Sequence, residues 1–521
     1  MYKNPIIFCD YSDPDVIKVG DIYYLVASSF NFTPGLPILA SSNLVEWKLI
    51  NYAVENIPAE KYEYPQNAKG IWAPSFSYHN GKFYIIVGLP DDGIYITESA
   101  DPFSKWSPLK QIWSGKGYID PFLLWDDDGK AYVIHAYAKS RCGFNSKIGL
   151  IEFDTENLCC VGEDQIIFDG TKIQPTIEGP KVYKRNGYYY IFAPAGGVSE
   201  GWQAVLRSKS IYGPYEDKIV LEEGNTGING PHQGALVETD DGKNWFIHFQ
   251  ESGIYGRITH LQPVVWQDDW PLIGTATYSN NKNEIGNPVL KHASPKCKNL
   301  SKKIKLKSPI AAFENANLEW QWSGNHSNLF ARNVGIPNQD IESFSLAVMN
   351  KTLHYKDGKA ILWNSSNVLT RKIRYEQFYY SCKMNIENLP EGGRTGLIFQ
   401  GEEYASVAIE RTKNGIDLIY LNSVNSEFTD DERDEVILKR ITIATENIPS
   451  EIRFRMDFYP VSIYSGCVFF SVKAGYFFNK FSWKSDYFYT ENAHWVGGRF
   501  GVYAIGEKTG NVLVYDSKVR H

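Results

Sequence analysis

The sequence predicts an all-β protein, a five-bladed β-propeller followed by a β-sandwich, on three observations. First, the stretch SDPDVIKVGDIYYLVASSF from Ser12 returns four more times in altered form. Second, aromatic residues make up 15% of the chain and glycines number 43, which suits short strands joined by tight turns. Third, no stretch before residue 270 keeps apolar residues at helical spacing for three turns. The chain has 521 residues, too many for one ordinary core, so two domains are expected.

Each repeat reads as a hairpin: a strand, a glycine-centred turn and an aromatic second strand. The later copies are WAPSFSYHNGKFYIIVGL, IDPFLLWDDDGKAYVIHAY, IEGPKVYKRNGYYYIFAPA and HQGALVETDDGKNWFIHFQ. Their turn glycines are Gly20, Gly81, Gly129, Gly187 and Gly242, and three residues beyond each stands Tyr23, Tyr84, Tyr132, Tyr190 or Trp245. A period of about fifty to sixty residues, with two further strand-like runs per copy, is the pattern of a radial repeat fold. The outer strands are read from NFTPGLPILASSNLVEWKLI in the first copy, IYITESADPFSKW in the second and AVLRSKSIYGPY in the fourth.

WPLIG, from Trp270, closes the fifth unit, which bounds a propeller domain at residues 1–275. Residues 276–310 are rich in Asn, Ser and Lys and include SKKIKLKS, a linker or strands lying across a domain boundary, with the basic run read as a solvated face. From 311 to 521 alternation resumes without the repeat, in FSLAVMN, RTGLIFQ, SVAIERT and RFRMDFY. That pattern predicts a two-sheet antiparallel sandwich.

Net charge of −7, with no basic stripe in the first 270 residues, argues against a nucleic-acid partner. A neutral partner fits better, and 34 Tyr and 14 Trp suit the C–H faces of sugar rings, although a β-core also uses them. The seven cysteines, including the adjacent Cys159 and Cys160, have no CxxC spacing and read as reduced thiols. Nothing resembles a membrane span, and MYKNPIIFCD lacks a signal-like apolar run. A cytoplasmic location is expected, or a periplasmic or secreted one if a leader has been removed.

The first strand of each propeller blade lines the central channel, so residues at one end of these strands converge on one mouth. The repeat sets Asp13, Asp120 and Glu178 there, with Trp72 and His232 from the other two blades. Like charges repel, so at least one of the three carboxyls is expected to keep its proton near neutral pH. A proton holder facing an ionised partner is what glycoside hydrolysis requires. Asp-Pro is also a common turn opener, as at Asp101-Pro102; shared register in the repeat sets Asp13 and Asp120 apart. Asp15 falls off that register and is read as structural. Asp126–Asp128 form a hairpin turn, with no glutamate at EF-hand spacing. His232 reads equally as a satisfied core histidine or as an ion ligand on the axis, and Trp72 as a subsite wall or a core residue.

With FTPGLPI, GIWAPSFSY, YIDPFLLWDDDG, TIEGPKVYKRNGYYY and YGRITHLQP, these motifs make residues 1 to about 275 resemble glycoside hydrolase family 43. The remainder is similar to the concanavalin-like sandwich appended in its β-xylosidase and α-L-arabinofuranosidase branches. The resemblance implies a five-bladed propeller and hydrolysis with inversion. It assigns Asp13 as general base, Glu178 as general acid and Asp120 as the residue that tunes and orients the acid. Arg257 would contact the sugar, and Phe30, Phe32 and Trp72 would wall a pocket for one terminal pentose. Asp15 and Lys181 depart from the commonest pattern, which has Ser or Cys at the first position and His at the second. The implied substrate is a hemicellulose-derived oligosaccharide, with arabinofuranose and xylose unranked and self-association left open. No cofactor is needed for the reaction; an ion near His232, such as calcium, would be structural. Three rivals remain: a retaining invertase-type propeller, whose NDPNG contrasts with SDPD and IEGP here, a non-catalytic sugar-binding propeller, and a purely structural scaffold, which would leave the carboxylates unexplained.

Overall fold

The computed structural model describes residues 1–277, 284–297, 310–334, 343–350, 355–356, 359–425, 433–475 and 480–521. Five sheets follow one another along the chain, and in each the four strands of the repeat pair antiparallel in chain order. The inner strands of blades one to five are Asp15–Val19, Pro74–His79, Tyr118–Trp125, Lys181–Arg185 and His232–Glu238. The fold class is therefore the expected one.

The repeat glycines mark the hairpin turns between first and second strands. Gly20, Gly81, Gly129, Gly187 and Gly242 have φ between 61° and 84°. A Cβ at any of them would meet nothing within 4 Å, so the turn requires glycine for its backbone angle and not for space. Asn80 (φ 47°) and Asn186 (φ 50°) precede two of them and complete Asn-Gly turns whose twist matches the strands. Successive blades bury their aromatic faces against one another, as where Tyr24, Val26, Phe76, Phe83 and Ile85 join blades one and two in one apolar cluster.

The N-terminus is tied to blade five before it enters blade one: Tyr2 Oη and Asn4 Nδ2 both donate to Leu261 O, at 2.8 and 2.9 Å. The boundary segment also folds onto the propeller. Thr275–Thr277 and Ile285–Asn287 add two strands to blade four, and Lys291–His292 pairs with Tyr2–Lys3. The SKKIKLKS run lies outside the described residues.

The C-terminal domain is two packed sheets. One holds Arg394–Gln400, Tyr404–Thr412 and Arg499–Ile505, the other Phe378–Asn385, Glu451–Pro460 and Gly510–Arg520. Its core, built on Trp320, Trp322, Phe344, Phe399 and Phe458, runs without a break onto Ile254, Tyr255 and Ile258 of blade five. Polar contacts seal the same boundary: Asn31 Nδ2 donates to Ser323 O at 2.6 Å, and the Gly497 and Gly498 N–H groups donate to Asp10 Oδ2 and Ile254 O at 3.1 and 2.7 Å. The sandwich is thereby held against the end of the propeller that carries Asp10 to Phe32. Among the described residues no helix is long and apolar enough to cross a membrane.

Candidate active site

Asp13 and Asp120 share an uncommon backbone conformation, with φ of 55° and 53°. Each precedes a proline, whose ring disfavours the right-handed helical region, and aspartate is among the few residues that tolerate the left-handed one. At Asp120 the kink breaks the ladder, which slips between Ile119 and Phe122. Asp120 thus leaves the pleat of its inner strand, Asp13 stands two residues before its own, and both carboxylates are buried. Glu178 stands just before the inner strand of blade four and is followed by Gly179 at φ 59°. A Cβ on Gly179 would come 2.7 Å from Gln233 Cγ, so both angle and space require glycine there.

The carboxylate of Asp13 is a convergence point for donors. Ser12 Oγ donates to Oδ2 at 2.9 Å, Ser28 Oγ donates to the same oxygen, and Arg257 Nη1 donates to Oδ1 at 3.1 Å. Arg257 is held in turn: its N–H donates to Asp10 Oδ1 at 2.9 Å and its guanidinium lies 4.7 Å from the Phe249 ring centroid. Asp120 accepts the Gly179 N–H at 2.9 Å and Gln233 Nε2 at 3.2 Å through one oxygen, Oδ2.

The Glu178 side chain is 30% exposed, against 5% for that of Asp13, so the glutamate is the carboxyl that opens to solvent. Its pKa is raised, first by its enclosure in protein and then by the charge of Asp120, with Arg257 pulling the other way. Asp120 is raised as well, by burial and then by the charge of Asp13, against the Gly179 N–H and the positive charges of Lys181 and Arg257. The expected crowding of like charges is therefore present, and it acts on Glu178 in the direction a proton donor needs.

His232 Nε2 lies 3.3 Å from Glu178 Oε1. Burial, with a smaller push from Arg257, lowers the imidazole pKa to about 3, so the ring is neutral and the contact is no ion pair. Both ring nitrogens of His232, Gln233 Oε1 and Arg257 Nε are buried without a hydrogen-bond partner in the chain. Such orphaned atoms leave room for a water or a sugar hydroxyl. His232, which reads equally as a satisfied core histidine or as an ion ligand, belongs to no group of three or more His, Cys, Asp or Glu able to hold a metal among the described residues.

The aromatic wall is only partly the expected one. Trp72 is buried, donates Nε1–H to Ala68 O at 3.1 Å and has the Arg141 guanidinium 5.4 Å over its ring. Phe30 is stacked at 6.3 Å on Trp495, which also meets Trp72 edge-on at 4.5 Å. Phe32 carries the Arg499 guanidinium 3.9 Å over its ring, which turns it toward the domain boundary. Trp495 comes from the sandwich and was not singled out in the sequence. Its signal was weak: AHWVGGRF interrupts the alternation with two glycines, and a Cβ on Gly497 would sit 2.6 Å from Gly256 N, a close approach only glycine permits. Ser12, Ser28 and Gln233 were missed as well, being ordinary polar residues beside the motif acids.

The described arrangement gathers three carboxyls and one arginine from different blades, and a tryptophan of the second domain packs on the blade aromatics Phe30 and Trp72. Comparison with known proteins agrees with it. The profile of glycosyl hydrolases family 43 matches residues 2–271, and that of the beta xylosidase C-terminal concanavalin A-like domain matches residues 312–516. A putative beta-xylosidase of Xylanibacter ruminicola is 35% identical over 427 residues, 80% of this chain and 73% of that protein. A non-reducing end alpha-L-arabinofuranosidase of Bacteroides ovatus is 34% identical over 295 residues, 52% of this chain and 53% of that one. The solved xylan beta-1,4-xylosidase of Bacillus halodurans superposes with a TM-score of 0.77 at 21% identity, covering 100% of both chains, a likeness of fold. With its propeller matched across every blade and its sandwich matched by the domain that accompanies it, the chain belongs to glycosyl hydrolases family 43.

Proposed function

We propose that the protein is an exo-acting glycoside hydrolase that releases a terminal pentose, β-D-xylose or α-L-arabinofuranose, from hemicellulose-derived oligosaccharides in one inverting step. The observation that carries the chemistry is the division of labour among the carboxyls. Glu178 is raised and open to the pocket, while Asp13 is buried among three donors that hold its orientation. Glu178 gives its proton to the departing glycosidic oxygen as that bond to the anomeric carbon breaks. On the opposite face Asp13 accepts a proton from water, whose oxygen forms the new bond. One displacement inverts the anomeric centre. Solvent then removes the proton from Asp13 and restores that of Glu178.

Asp120 serves the acid twice, through its charge and through its hold on the next peptide N–H. Arg257 keeps Asp13 in place and is near enough to meet a sugar hydroxyl. The ring formed by Phe30, Trp72 and Trp495 favours a chain end over a chain interior. Xylosidase and arabinofuranosidase names among the relatives support a pentose in that pocket. The deciding experiment measures rates on the 4-nitrophenyl β-D-xyloside and α-L-arabinofuranoside side by side, and follows the released sugar's anomer by NMR. Turnover of at least one with inversion is expected. No turnover of either, or retention, overturns the proposal.

A further inference from the structure

A buried ion pair that the hydrolytic steps do not use lies where the inner strands converge. Lys181, three residues past Glu178, is 1% exposed; its Nζ donates to Pro74 O at 2.7 Å and stands 3.7 Å from Asp15 Oδ2. Asp15, 2% exposed, accepts the Phe76 N–H at 2.6 Å and the Val16 N–H at 3.1 Å. The same ammonium lies 5.9 Å from the centroid of Phe122. Lys181 belongs to the inner strand of blade four, Asp15 to blade one, Pro74 and Phe76 to blade two and Phe122 to blade three. One cation therefore joins the inner strands of four blades, and strands of different blades meet only around the propeller axis.

Stability alone is a poor reason for this arrangement. A buried pair at 3.7 Å recovers little more than the cost of removing both charges from water, and well-packed apolar side chains commonly serve as well. Position is the better reason. Lys181 is covalently close to Glu178, and its charge acts on Asp120.

We propose that Lys181 is the propeller's axial cation and a positioning residue for hydrolysis, pinning the strand that carries Glu178 to blades one and two and presenting positive charge to Asp120. This rests on the reading of Glu178 as the acid. Asp15 is the counter-ion that makes the pin affordable in a dry channel. The ammonium supplies the positive charge that a structural metal ion would bring, so hydrolysis needs no divalent cation for this purpose.

The consequence runs through Asp120. The titratable and charged groups facing Asp120 are Asp13, Glu178, Lys181 and Arg257; those facing Glu178 are Asp120, Asp13 and Arg257, with neutral His232 beside them. Facing Lys181 itself are Asp15 and Asp120, with Tyr183 on its own strand next to Asp15. Without the ammonium Asp120 holds its proton to higher pH, its negative charge beside Glu178 is lost near neutrality, and Glu178 gives up its proton earlier.

The experiment compares wild type with Lys181→Gln and with the neutral pair Asp15→Asn/Lys181→Gln, which keeps hydrogen-bonding groups at both positions should the single variant fail to fold. In the folded double variant kcat is expected to fall at least tenfold, about the scale of partial loss of acid assistance. KM should change little, the loss should be larger on a xylo-oligosaccharide than on the 4-nitrophenyl glycoside, and the alkaline limb of the kcat profile should move to lower pH. A folded double variant with the wild-type limb and wild-type ratio between the two substrates overturns the proposal. So does a wild-type rate that falls on EDTA treatment and returns with calcium. Glu178→Gln is measured in parallel: if it loses both substrates equally the acid assignment fails, whereas selective loss on the oligosaccharide leaves Lys181 alone on trial.

Discussion

Asp120 holds the peptide N–H of Gly179 at 2.9 Å, and so fixes the residue next to Glu178 instead of gripping the glutamate itself. The arrangement leaves the glutamate's own oxygens free toward solvent and His232. It also makes the acid's placement depend on a backbone bond that no side-chain substitution at Glu178 can break.

Asp120→Asn tests the electrostatic half of this relationship. The amide oxygen can still accept the Gly179 N–H, but the negative charge that raises Glu178 is gone. Glu178 is active when protonated, so activity is present below its folded pKa and declines as pH rises through it. The alkaline limb of kcat should therefore move to lower pH in the variant. An unmoved limb with unchanged kcat would show that Asp120 has no hold on the acid.

Gly179→Ala tests the positional half. The new Cβ would sit 2.7 Å from Gln233 Cγ at a φ of 59°, pushing on the residue that shares Asp120 Oδ2. A misplacement of about 1 Å at a reacting group costs about 100-fold in rate. We expect a fall of that order in kcat with the fold retained by circular dichroism; near-wild-type kcat would mean that the site tolerates the shift.

Asp13→Ala removes the proton acceptor and leaves Arg257, Ser12 and Ser28 facing a void. A loss of about 100- to 10,000-fold is expected on every glycoside, whatever its leaving group, since activation of water is common to all. Retention of more than a tenth of wild-type kcat would remove Asp13 from the role of base.

Trp495→Ala tests the contribution of the sandwich. The ring packs against both Trp72 and Phe30, and aromatic contacts of this kind contribute about 0.5–1.5 kcal/mol each beyond area burial. A fall in kcat/KM of about tenfold, mainly through KM, is the expected result. Unchanged kcat/KM would place substrate away from that wall.

Much of the propeller was legible because its signals are local and repeated. The turn glycines Gly20, Gly81, Gly129, Gly187 and Gly242 need positive φ wherever the chain goes afterwards, and the aromatics three residues on need an inter-blade face. Asp13, Asp120 and Glu178 were legible for the same reason, since a repeat that closes in a ring turns shared register into shared position. Trp495 was not, because its partners Phe30 and Trp72 lie in the other domain and nothing periodic connects them. Asp15 read as structural by register; its partnership with Lys181 depends on how blades one and four face each other across the axis. The boundary segment read as a linker or as boundary strands, and its described part adds strands to blade four, a pairing of short runs that carry little pattern of their own.

Alone, then, the sequence determined the all-β class and the blade count, because turn angles and alternation are properties of neighbouring residues. The tertiary structure decided which acid opens to solvent, that Arg257 reaches Asp13 across a separation of 244 residues, that Lys181 meets Asp15 from another blade and that a tryptophan from the sandwich packs on Phe30 and Trp72. Those are distances between segments remote in the chain, and they are set only once the ring has closed and the second domain has packed on it.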